Sequence, residues 1–200
     1  MTTPQQSARE ALRERQGPGA RYDADEAPHR DLNLARRGTA YFARMLNNLT
    51  DDTLWQPSAI GGRNRRWVTA AICLQARLFA DAVAFSRQYP GMELPFPLAI
   101  DADEIALAAT LPAQALRNLF AHSEVHLNVE WRDLTEDGWA RTIVDAQGRR
   151  LPVASTPAIR ACRIWDYALK LDAGGRRRDV PTTMAVTGSI AGDPLSFVGE

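Results

Sequence analysis

Four stretches of the chain repeat apolar residues at intervals of three and four, the spacing that gathers side chains on one side of an α-helix, and nothing else in the sequence restricts the fold as much. The first holds Leu34, Tyr41, Phe42, Met45 and Leu49, with Asp31 placed to cap it. The second carries Val68, Ala71, Ile72, Leu78, Phe79, Ala82 and Phe85 between a capping Asn64 and the stop signal Pro90-Gly91. A third starts at Asp101 or Asp103 and is expected to reach Asp133, with Pro112 either kinking it or marking a second start. The fourth opens on Thr156-Pro157, a cap followed by proline at the first helical position, and continues over residues 159–171 until Gly174-Gly175. Between the third and fourth, residues 139–153 read as one short hairpin around the Gly148 turn. Helices with a single apolar stripe bury it against one another, so the expected fold is mainly α: a four-helix bundle with a small β-hairpin between helices three and four.

The flanks read differently. Residues 1–30 are polar and interrupted by Gly17-Pro18-Gly19 and Pro28, which predicts a short helix over 7–16 followed by an irregular arm. The bundle is expected over 31–181, and residues 182–200 form a tail without periodicity, loosely docked. Lys170 is the single lysine among 24 basic residues, and these balance 24 acidic ones. A chain without net charge lacks the electrostatic footprint of a nucleic-acid or anionic-membrane binder. No apolar run approaches the roughly 18 residues of a membrane span, and the first sixteen residues do not read as a signal peptide. The expected location is the cytoplasm. Cys73 and Cys162 stand far apart with no CxxC or Cys/His spacing, which predicts two buried thiols rather than a zinc ribbon or redox pair. Phosphate-loop, dinucleotide and Gly-x-Ser-x-Gly signatures are absent.

Two polar clusters carry potential chemistry. His122, His126 and Glu130 follow one another at i, i+4 and i+8, so they share a helix face that could offer two imidazoles and a carboxylate to a divalent ion, or simply form a polar stripe with His126 paired to Glu130. Arg163, Asp166, Tyr167 and Lys170 share a face of the fourth helix. Facing solvent, they form intrahelical ion pairs. Facing the bundle, Arg163 becomes a fixed cation for a carboxylate and Tyr167 a proton donor. The tryptophans at 55, 67, 131, 139 and 165 are expected as core and loop anchors.

The run Pro57-Ser-Ala-Ile-Gly-Gly-Arg-Asn-Arg-Arg-Trp-Val-Thr-Ala-Ala-Ile72, with Gln75-Ala-Arg after it, resembles the second-helix signature of the thiol-dependent maleylpyruvate isomerase family, one of the DinB-like helical bundles. Leu127-Asn-Val-Glu-Trp-Arg-Asp-Leu134, the Gln147-Gly148-Arg149 turn and the stretch from Thr156-Pro157 to Asp172 are similar to that family's third helix, hairpin and fourth helix. The resemblance spans roughly residues 31–181 and implies a DinB-like bundle. It also implies a metal that activates a low-molecular-weight thiol, mycothiol or glutathione. The thiol adds to the double bond of maleylpyruvate, allows rotation and leaves.

Carried over residue by residue, the three metal-ligand positions of the family fall on Ala71, Arg163 and Tyr167, and an earlier histidine of the signature falls on Trp67. An alanine has no donor atom, a guanidinium is a fixed cation, and a lone phenol is a poor ligand at neutral pH. The expectation is therefore no metal at the family's position. Arg163 and Tyr167 are the candidate catalytic residues, and Trp67, Ala71, Gln75 and Asp166 the candidate substrate-binding ones. The ligand is expected to be a small carboxylate held in the bundle cavity, and a homodimer stays open. Either the chain is a diverged enzyme, or it is a non-catalytic member that binds a small acid or a protein partner. A third option relocates the metal to His122, His126 and Glu130.

Overall fold

The computed structural model describes residues 22–185 of the chain. The helix expected over 7–16 and the tail beyond residue 185 lie outside the described residues. The order is α1 (His29–Asn48), α2 (Arg65–Gln88), α3 (Ala102–Ala108), α4 (Ala113–Arg132), α5 (Glu136–Trp139), β1 (Thr142–Val144), β2 (Arg150–Pro152), α6 (Thr156–Lys170) and α7 (Thr182–Ala185). Helices α1, α2, α4 and α6 form the four-helix bundle, with α1 packed on α6 and α2 on α4.

The caps explain where the helices begin. Asn64 accepts from the backbone N–H of Trp67 at 3.0 Å, as its sequence position predicts. Asp31 is not the cap of α1: the helix starts two residues earlier behind Pro28, and Asp31 sits in the first turn, where its charge opposes the positive end of the helix dipole. Thr156 is likewise the first helical residue and Ser155 the cap, because the Thr156 hydroxyl donates to Val153 O (2.8 Å) and accepts from Trp131 Nε1 (2.9 Å). The expected long third helix is two helices. Asp101 and Glu104 close a capping box on α3, and Pro112 starts α4, since a proline ring cannot sit inside a continuing helix. Helix α6 ends at Lys170, ahead of the Gly174-Gly175 pair, because Asp172 already takes a left-handed φ of 52°.

Core packing follows the stripes. Leu32, Phe42, Leu46, Val68, Ile72, Phe79, Leu116, Leu127 and Ile164 are buried, and the Phe42 and Phe120 rings stack 5.2 Å apart. Helix α2 carries an 18-residue window of mean hydropathy 1.5, long and apolar enough by composition to cross a bilayer, which corrects the reading that no run approaches such a span. Of that window 67% is buried inside the bundle, the signature of a core helix. Helices α1 and α6 approach closely at Gly38, where a Cβ would meet Ile164 Cγ2 at 2.5 Å and Trp165 Nε1 at 2.9 Å.

The hairpin pairs Thr142 with Pro152, Ile143 with Leu151 and Val144 with Arg150. Its turn carries the fully buried Asp145, whose carboxylate accepts from the N–H groups of Leu98 (2.8 Å), Gln147 (3.0 Å) and Arg149 (2.9 Å) and from Arg149 Nε (2.8 Å). Leu94 N also donates to Val144 O at 2.8 Å. The hairpin thus pins the loop that leads from α2 to α3. At the other end of the bundle, Tyr41 donates to Asp179 at 2.7 Å and accepts from Arg176 N at 3.2 Å, and Val180 and Met184 pack on the core. The described part of the expected tail is therefore docked.

Candidate functional site

Two anchor points fix the register of α2 against α6. At one end Arg65 Nε donates to Leu171 O (3.1 Å) and Ala59 N to Lys170 O (2.9 Å). At the other, Arg160 donates from one terminal nitrogen to Ile72 O and to Gln75 Oε1, both at 2.9 Å. The helices are therefore antiparallel here, and between the anchors Ala71 falls near the level of Arg163, with Tyr167 one turn further along, near the level of Trp67. This seam unites the positions that the resemblance singled out.

Its members differ in access. Ala71 and Gln75 are fully buried, Tyr167 is buried, and Trp67 lies just inside the core at 9% exposure. Arg163 is half-buried. At the edge of the seam Arg63 is exposed with its guanidinium 5.0 Å above the Trp67 ring, and Lys170 stands 5.4 Å above the Tyr167 ring while pairing with Asp166 at 2.9 Å. The Asp166–Lys170 pair is the intrahelical ion pair that the spacing allows. Cavities of about 880 and 210 Å³ lie elsewhere, and no seam residue lines either one.

Residues that sequence reasoning passed over occupy the interior. Arg160 is wholly buried, and its second terminal nitrogen pairs with Glu124, which in turn accepts from the Thr39 hydroxyl at 2.9 Å. This network joins all four bundle helices, and it takes up Gln75, one of the candidate substrate-binding residues. Arg160 falls on the same side of α6 as Ala161, Ile164 and Ala168, so an arginine inside an apolar stripe was the signal available. Cys73 lies nearby, its thiol pushed far up by burial and by the Glu124 charge. Cys162 is raised as well, by burial and by Asp31, with Arg163 pulling the other way. Both thiols are held in the protonated, weakly nucleophilic form.

The positions expected to ligate a metal do not fit a divalent ion: Ala71 has no donor atom, Arg163 is a fixed cation, and the Tyr167 phenol lies beneath an ammonium group. Among the described residues no three His, Cys, Asp or Glu side chains converge on a common point. His122 and His126 are exposed, and Glu130 is shared between His126 Nε2 at 3.7 Å and Arg87 at 2.8 Å. The polar-stripe reading of that face describes what is there.

An antiparallel four-helix bundle with a hairpin ahead of its last helix, and a polar seam between the second and last bundle helices, is a DinB-like helical bundle. The sequence matches the family described as the mycothiol maleylpyruvate isomerase N-terminal domain over residues 35–165, and the chain belongs to that family. Among solved structures it is similar to the crystal structure of the mycothiol-dependent maleylpyruvate isomerase, with 30% identity and a TM-score of 0.72, and to a point mutant of that enzyme, with 31% identity and a TM-score of 0.72. Each similarity covers 80% of this chain and 66% of the other, so the chain spans just under two thirds of the length of those relatives. No curated protein matches it.

Proposed function

We propose that the edge of the α2–α6 seam binds a small carboxylate without the divalent ion that the family resemblance implies, and that the chain is a diverged member acting on such an acid. The observation that supports this reading is the antiparallel register of α2 and α6, with Arg163 near the level of Ala71 and Tyr167 near that of Trp67, a guanidinium and a phenol at positions where the family resemblance implies metal donors. Arg163 would hold the carboxylate through two parallel N–H bonds, and Tyr167 would donate a proton. Trp67 and Ala71 would shape the wall, and Asp166, by pairing with Lys170, would limit the positive charge at the rim. Should a thiol such as mycothiol or glutathione act here, its thiolate would add to the substrate double bond, the resulting single bond would rotate, and the thiolate would leave with the pair of electrons it brought. Arg163 would stabilise the negative charge on the intermediate. The chain's balanced charge supports a cytoplasmic protein engaging neither nucleic acid nor membrane.

The test is turnover of maleylpyruvate with mycothiol and with glutathione, followed by absorbance, together with calorimetric binding of maleate. Wild-type protein should bind the acid and turn over without added metal, and Arg163→Ala and Tyr167→Phe should each lose at least tenfold while keeping the helical spectrum. Wild-type behaviour in both variants would sink the proposal. A second reading, a non-catalytic small-acid or partner-binding member, is favoured by the uptake of Gln75 into the Arg160 network and the burial of Tyr167. It expects binding with no conversion by either thiol.

A further inference from the structure

About a fifth of a turn around α2 from the seam lies the 880 Å³ cavity, an open trough bordered by α2, α3 and the loop between them. Its volume falls in the range of small-molecule sites, about 300–1,000 Å³. The walls are apolar, with Leu74 and Leu78 from α2, Phe96 and Ile100 from the loop, and Leu107 and Leu111 from α3 and its exit. Leu107 is 72% exposed and forms the rim of the trough. The loop wall is held in place by the Asp145 carboxylate through Leu98 N, so the cavity is preformed.

Four charged side chains line it: Arg77, Asp81, Asp101 and Glu104. Two are occupied, because Asp101 accepts from Asp103 N at 2.7 Å and Glu104 accepts from Asp101 N at 3.4 Å, which together start α3. Arg77 and Asp81 are left, both exposed, and among the described residues neither makes a hydrogen bond or an ion pair. They stand one turn apart on α2, roughly 5–6 Å between Cβ atoms, in the cation-first order that pairs less well on a helix. One open cation and one open carboxylate over an apolar trough are the complement of a zwitterion with an apolar body.

We infer that this cavity binds a free apolar α-amino acid, its ammonium on Asp81, its carboxylate on Arg77 and its side chain against Leu74, Leu78 and Leu107. The inference is independent of the seam. It is tested by titrating the full chain with L-leucine and with its two half-molecules, 3-methylbutylamine and 4-methylpentanoate, followed by amide NMR shifts. Leucine should bind at least fivefold more tightly than either half. Asp81→Asn should lower leucine to the affinity of the acid, Arg77→Gln should lower it to that of the amine, and Arg163→Ala should leave it unchanged. Leucine binding no tighter than its halves, an absence of binding, indifference to Asp81→Asn and Arg77→Gln, or loss in Arg163→Ala each overturns the inference, the last by placing the ligand at the seam.

Discussion

Arg160 and Arg163 stand less than one turn apart on the same helix and have opposite surroundings. Arg160 is wholly buried, with acceptors from α2 and a carboxylate from α4 that reaches on to α1. Arg163 is half-buried, near the level of Ala71. The first arginine is sealed in the core, whereas the second keeps part of its surface in contact with solvent. The lesson is that residue type alone does not separate a core cation from one near the surface; its depth in the fold does.

The largest effect is expected from breaking the closed side of this comparison. Glu124→Ala strands the Arg160 guanidinium in the core, and removing one member of a buried pair costs about 3–5 kcal/mol. Urea denaturation should show that loss. Replacing both partners, Arg160→Met with Glu124→Leu, should recover most of it, because apolar residues of similar volume escape the desolvation cost of two charges. If the double variant is as unstable as the single one, the network fixes the register of the helices and not merely the neutrality of the core.

A smaller effect is expected at the hairpin, where Asp145 has the same closed character. Burial pushes its carboxyl up, but the N–H groups of Leu98 and Arg149 and the Arg149 guanidinium outweigh that and hold it below the usual carboxylate range. A lowered folded-state value means that the stabilisation is complete above the unfolded value, about pH 4, and drains away as pH falls through the folded one. Asp145→Asn should therefore cost about 1–3 kcal/mol at pH 7, because an amide cannot accept from every donor that now faces it. The gap between variant and wild type should narrow below about pH 4. A gap independent of pH would mean that shape, and not charge, holds the loop.

On the opposite flank of α6, Gly38→Ala forces a Cβ against Ile164 and Trp165. Overpacking of this kind costs about 1–3 kcal/mol, and the lower end is expected here because the α1–α6 contact lies near the middle of long helices that can shift slightly. Thermal unfolding would show it. A variant as stable as wild type would mean that α1 and α6 separate freely, and the seam on the far side of α6 would then be less firmly placed than the structure indicates.

These elements also mark how far the sequence could be read. The bundle was legible because four apolar stripes and the Asn64 and Pro112 signals are local. Helix starts at Pro28 and Ser155 were not, since Asp31 and Thr156 are better caps in isolation and lose to a dipole contact and to a tertiary bond with Trp131. The Ala71, Arg163 and Tyr167 constellation was proposed through the family resemblance, and the register of α2 and α6 spreads its members over about one helical turn. Arg160 escaped because its partners Glu124 and Gln75 are 36 and 85 residues away in the chain, and because one arginine among so many draws no notice. The Arg77 and Asp81 pair escaped for the converse reason: at i, i+4 they look like an ordinary surface ion pair, and only the structure shows them apart.

The smallest expected change in stability comes from Arg163 itself, and a second readout makes it informative. Arg163→Met keeps the bulk of the side chain and removes the charge, so the stability change should stay below about 1 kcal/mol, as for most substitutions away from a buried network. Cys162, next to it in the chain, should respond more visibly. Burial, Asp31 and Asp166 raise its thiol while Arg163 lowers it. Removing the cation should raise the thiol further, reduce the thiolate fraction at pH 8 and slow its alkylation by iodoacetamide. Asp166→Asn removes an opposing charge and should speed the same reaction. Cys73, sealed in the core, should stay silent in both, so the labelled residue can be assigned by mass spectrometry of the digested protein. Rates that move in opposite directions would establish that the Arg163 guanidinium projects its charge across the half-buried side of α6, the property a carboxylate ligand needs. Rates unchanged in both would mean that solvent already screens that charge, and the open side of the comparison would then hold no more than a surface arginine.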